Sequence, residues 1–184
     1  MDARDELRTE LTRQHEANDA DARATKRAGD DRAQYEGEVQ EVKARLDEVV
    51  QLTVQALADS DEKPSSIEVE PKRGLFGKPV RVNGWKVRWR GDDAIVCPDG
   101  ALLIFRPGVV AQGYRRTSFI ELFEKRLAEE NAFTGDSGIS PFDRAFKGRG
   151  NAAEAASLRG TLERMRTEMV QSLSRLLSDR GLSI

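Results

Sequence analysis

The chain has 184 residues, 34% of them charged and 6% aromatic, with a formal net charge of −2; this supports one modest core with appended helices rather than one uniform globule. Its single cysteine excludes an intrachain disulfide, and no stretch approaches the ~18 apolar residues of a membrane span. Charge is unevenly placed: residues 71–116 hold ten Lys and Arg against three Asp, residues 1–70 hold ten against nineteen acids, and residues 117–184 balance at ten against ten.

Residues 1–59 form an acidic arm. No proline interrupts Asp2 to Asp59, where Ala, Glu, Arg, Gln and Leu dominate, residues that lose little side-chain freedom in a helix. A heptad frame crosses the whole stretch. One seam position carries Leu11, Asn18, Thr25, Arg32, Val39, Leu46 and Thr53; the other carries Leu7, Gln14, Asp21, Ala28, Tyr35, Val42, Val49 and Ala56. Only the second half satisfies the apolar rule for knobs-into-holes packing. In residues 1–34, Leu7 and Leu11 are the only large aliphatics after Met1, too few to fix a helix without a partner. Gly29 before Asp30 and Asp31 has the composition of a helix end followed by a new cap. The frame survives that glycine, which favours one coiled-coil-like helix of roughly 85 Å, at ~1.5 Å per residue, over a hairpin. Toward the end, Val49, Val50, Leu52, Val54 and Leu57 widen the apolar stripe where the helix is expected to meet a sheet.

Residues 60–116 form a basic β module. After the loop-like Ser60-Asp61-Glu62-Lys63-Pro64-Ser65-Ser66, the pattern turns from helical to alternating. Ile67 and Val69 alternate with Glu68 and Glu70, and Val80 and Val82 with Arg81. In Trp85-Lys-Val-Arg-Trp-Arg90, Trp85, Val87 and Trp89 share one apolar face, and Lys86, Arg88 and Arg90 share a cationic one. Asn83-Gly84 between alternating runs predicts a two-residue hairpin, which places Arg81 directly across from Lys86. Like charges in that position repel, so the pair calls for water, the arm's own acids such as Glu41, Asp47 and Glu48, an acidic partner, or a phosphate backbone. Further strands are expected at about 94–97, 101–106 and 109–114, giving a meander of about five antiparallel strands. In loop 71–79, Leu75 and Phe76 could wedge into a groove, a membrane interface or a stack of bases, but such a pair more often turns inward to close the end of the core, the arrangement expected here.

Residues 117–150 supply covering helices and a flexible loop. Ser118-Phe-Ile-Glu121 is a capping box opening a helix to about Glu130. Ser140-Pro141-Phe142-Asp143 opens a shorter one ending near Gly148. Residues 151–184 carry a long C-terminal helix from about Ala152 to Arg180, lined by Leu158, Leu162, Met165, Met169, Leu173 and Leu176. The fold class is α+β: a long N-terminal helix, a small antiparallel meander, covering helices and a long C-terminal helix.

Catalytic chemistry finds little footing. His15 is the only histidine and sits in the charged arm, so neither a metal cluster nor a His-dependent triad can be built within one chain. Cys97 before Pro98 reads as a buried small hydrophobe, and Asp92, Asp93 and Asp99 read as turn residues. No phosphate-binding glycine motif occurs, and no cofactor is expected. A lone thiol and an N-terminus without the apolar run of a signal peptide lead to a soluble cytoplasmic protein as the expectation. The function expected is a non-enzymatic interaction or scaffold protein. It assembles with itself or a protein partner through its helices and presents the basic module to an acidic partner. The alternative is sequence-nonspecific nucleic-acid binding. The candidate contacts for either anion are Lys72, Arg73, Lys78, Arg81, Lys86, Arg88, Arg90, Arg115 and Arg116.

Overall fold

The computed structural model describes residues 3–69, 80–106, 113–133 and 138–182. Its elements run α1 (Ala3–Asp59), β1 (Ser65–Val69), β2 (Val80–Trp89), β3 (Asp92–Val96), β4 (Ala101–Arg106), β5 (Gly113–Ser118), α2 (Phe119–Ala132), α3 (Pro141–Phe146) and α4 (Ala152–Ser178). The α+β class and the five-stranded antiparallel meander are as expected, with strand order β1-β2-β3-β4-β5. No described helix is long and apolar enough to cross a membrane. α1 passes through Gly29 without a break, so the continuous helix holds and the hairpin does not. The chain forms two compact units, one of residues up to Gln40 with Ala128–Leu162, the other of Glu41–Leu127 with Glu163–Ile184.

In the first unit, Tyr35 anchors the core at 1% exposure. Its ring meets Phe146 at 5.4 Å and Phe142 at 6.2 Å, while its hydroxyl donates to Asn131 Oδ1 at 3.3 Å. Both phenylalanines arrive on α3 because Ser140 caps it, accepting from the Asp143 amide at 3.0 Å, with Pro141 inside the first turn. Asn151 caps α4 through the amides of Ala153 and Glu154. Arg159 pairs with Glu38, and Arg149 with Asp21. Beyond Asp21 the packing stops: every side chain from Arg4 to Ala20 is exposed, Leu7 at 66% and Leu11 at 50%.

In the second unit the sheet buries both faces. On one, Trp85 pairs with Val96 and Val96 with Leu102, and Val87 pairs with Ala94 and Ala94 with Ile104. Trp89 meets Phe119 of α2 edge-on at 4.8 Å, and Trp85 Nε1 donates to the Glu62 carbonyl at 2.9 Å. Trp85 and Trp89 are 2% and 3% exposed, so both indoles turn inward as the alternation requires. The other face carries a smaller cluster of Val69, Ile95, Cys97, Ala101 and Leu103, flanked by Ile67, Val82 and Tyr114. The Ser118–Glu121 box opens α2 reciprocally, at 3.1 and 3.0 Å.

Asn83-Gly84 is not a hairpin. Both residues lie inside β2, opposite Ser66 and Ser65 of β1, and β2 then changes partner, pairing through Trp85–Trp89 with β3. The glycine serves a close approach instead. A Cβ at position 84 would lie 2.5 Å from Ile95 Cγ2 and 2.7 Å from the Val96 carbonyl oxygen, and a strand glycine commonly marks such a crossing. The β2–β3 turn is Arg90-Gly91, with φ of 53° and 90°, the positive values that two-residue hairpin loops require. Arg90 is the only non-glycine residue with positive φ among those described, a conformation costing about 1 kcal/mol for a side chain with a Cβ. The last strand, expected to end near 114, runs on to Ser118, which stands opposite Ala101 of β4; residues 109–112 of the expected strand lie outside the described residues, as does the loop of Leu75 and Phe76.

Candidate anion-binding site

Since Asn83-Gly84 continues the strand, Arg81 and Lys86 do not face each other. Arg81 stands opposite Glu68 on β1, so the predicted like-charge pair is replaced by one of opposite sign. Arg88 stands opposite Asp93. Lys86 shares a row across the sheet with Ile95, Leu103 and Arg116, leaving the two cations three strands, roughly 14 Å, apart. Arg116 is held by Asp99 at 2.5 Å. Arg115 belongs to the opposite face, beside Ile104, Thr117 and Lys125 in a hollow of about 350 Å³. Lys72, Arg73 and Lys78 lie outside the described residues.

An open cleft of about 650 Å³ brings Lys86 and Arg88 toward Arg180 past the end of α4, with Asp93 and Asp179 on its rim. Arg180 is committed there: its guanidinium grips both Glu62 carboxylate oxygens at 2.6 and 3.2 Å and donates to the Lys86 carbonyl at 2.6 Å. That bidentate grip ties the chain after α1 to β2, a structural use of the charge. Little net charge remains in the cleft.

The hairpin tip is different. Its positive φ takes Arg90 out of the predicted row with Lys86 and Arg88, and its guanidinium lies 5.5 Å from the Trp89 ring centroid. Nearby, Arg126 of α2 meets Glu168 of α4 at 2.6 Å, and Arg164 approaches the other oxygen of that carboxylate at 3.7 Å. Burial holds the Arg90 guanidinium below the usual arginine range, and the Arg126 charge adds to that; Glu168 acts the other way. Arg126, Arg164 and Glu168 escape a sequence reading because no local pattern links a residue of α2 to one 42 positions later.

Cys97 is 3% exposed. Burial pushes its thiol up, Asp99 adds to the shift and Arg116 opposes it, the opposite of what an activated nucleophile needs. Among the described residues no group of three His, Cys, Asp or Glu is placed to hold a metal ion. Compared with protein-family models, with curated proteins and with solved structures, the chain matches none.

Proposed function

We propose that this chain is a non-enzymatic interaction protein that self-associates through the exposed part of α1 and offers its basic β module to an acidic partner. The observation that carries the reading is the arm: seventeen consecutive helical residues, Arg4–Ala20, all of them exposed. A helix without a packed face is marginal in water at this length. Leu7 and Leu11, four apart on one face, are the groups a second helix would cover.

Magnitude sets the strength of the association. Two leucines from each of two copies offer roughly 6–12 kcal/mol of burial at ~1.5–3 kcal/mol each. Lost translational and rotational freedom offsets an estimated 4–15 kcal/mol of that. Assembly is therefore weak and reversible. Light scattering up to roughly 500 µM protein should show a mass that rises with concentration. The double variant Leu7→Glu/Leu11→Glu, at positions that bear no core contact, should hold the monomer mass throughout. A wild-type chain that stays monomeric across that range overturns the self-association.

For the basic module, Arg81 against Glu68, Arg116 on Asp99 and Arg115 on the other face leave no continuous cationic track among the described residues. Scattered single cations suit separate carboxylates better than the evenly charged backbone of a nucleic acid, which rewards many phosphate contacts at once.

A further inference from the structure

The geometry points to Arg90, at the tip of the β2–β3 hairpin, as the anchor for a carboxylate side chain of an acidic protein partner. The inference rests on the acidic-partner reading and names its site. Three observations converge there. Among the described residues no carboxylate lies within ion-pair distance of Arg90, although Arg126, whose charge reaches it, meets Glu168 at 2.6 Å. Arg126 thus holds Glu168 at contact distance, and Arg90 has no carboxylate so close. Its guanidinium is placed over the buried Trp89 ring, itself fixed edge-on by Phe119, so the planar fork is oriented before any ligand arrives. Finally, the turn position it occupies favours Asn, Asp or Gly. An arginine with φ of 53° there is a poor choice for folding, and a strained residue held by its surroundings is a recurrent mark of a functional position.

The chemistry selects the ligand class. A guanidinium fork takes a carboxylate through two parallel N–H···O bonds. Asp92 and Asp93 follow the turn in sequence, and the Glu168 charge reaches Arg90. The tip offers no track of cations for a stiff, evenly charged phosphate backbone, whereas a flexible acidic peptide can seat one carboxylate at the guanidinium edge.

The test is fluorescence anisotropy of a labelled ten-residue polyglutamate peptide with the full chain at low salt, alongside a urea melt of each variant. Arg90→Asn should weaken the peptide about tenfold while the melt midpoint stays level or rises, because Asn-Gly is the better turn. Arg90→Lys, which keeps the charge but not the fork, should fall between the two. Glu168→Gln, which removes the competing carboxylate, should tighten the peptide about threefold. Peptide binding that is unchanged in Arg90→Asn overturns the site and leaves the acidic-partner reading standing; a lowered midpoint with that result assigns Arg90 to packing alone. No peptide binding by the wild-type chain overturns both. Random duplex DNA that binds more tightly than the peptide, and is lost with Arg90→Asn, overturns the ligand class.

Discussion

Replacing Gly84 by alanine should lower the urea midpoint of the tryptophan fluorescence transition, at a cost of about 2–3 kcal/mol. Both tryptophans of the chain, Trp85 and Trp89, are buried in the second unit, so their emission reports its sheet. The added methyl would meet the Val96 carbonyl oxygen at 2.7 Å and the branched Ile95 methyl at 2.5 Å. Neither neighbour is the free end of a flexible side chain. Relief needs the β2–β3 backbones to part, and that opens both the Trp85 row and the smaller cluster around Ile95. Gly37→Ala is the control: nothing lies within 4 Å of its added Cβ, and within a helix the change should stabilise by about 0.5–1 kcal/mol. A Gly84→Ala chain as stable as wild type would mean that β2 does not cross so close.

Tyr35→Ala should cost the first unit about 3–5 kcal/mol, the range for truncating a large buried aromatic. Tyr35 is 1% exposed and touches both phenylalanines of α3, a helix of six residues with no other large anchor. Without the ring, Phe142 and Phe146 face a cavity and the short helix has little left to hold it. Far-UV circular dichroism should show a lower melting midpoint, and amide exchange should quicken over Pro141–Phe146. Tyr35→Phe separates packing from polarity: it loses only the 3.3 Å bond to Asn131 and should cost about 0.5–1.5 kcal/mol. An unchanged melt in Tyr35→Ala would contradict the placement of this core.

What sequence reading recovered was local. The Ser118–Glu121 box and the Ser140 cap are contacts over three residues, and each formed where its pattern stood. The inward indoles followed from period-two alternation alone. The hairpin at Asn83-Gly84 did not, because the deciding contact lies with Ile95 and Val96, more than ten positions away. A short-range turn signal and a long-range need for a missing Cβ use the same glycine, and the pattern cannot tell them apart. A turn there would set Arg81 beside Lys86, whereas the register sets Arg81 opposite Glu68. Arg90 departs from its strand neighbours for a related reason. Alternation assumes extended backbone, and a positive φ takes the side chain out of the row. Leu7 and Leu11, the large aliphatics of the charged half of the arm, are both exposed, in keeping with a segment too poor in apolar residues to pack.

Amide hydrogen exchange along Arg4–Ala20, followed as protein concentration is raised, is the most direct test of the arm as an assembly element. Exchange there should be fast in dilute solution and slow progressively with concentration, while the buried stretch around Leu46 to Leu57 stays slow throughout. Protection of Arg4–Ala20 that is full at the lowest concentration, or that never changes, would contradict it.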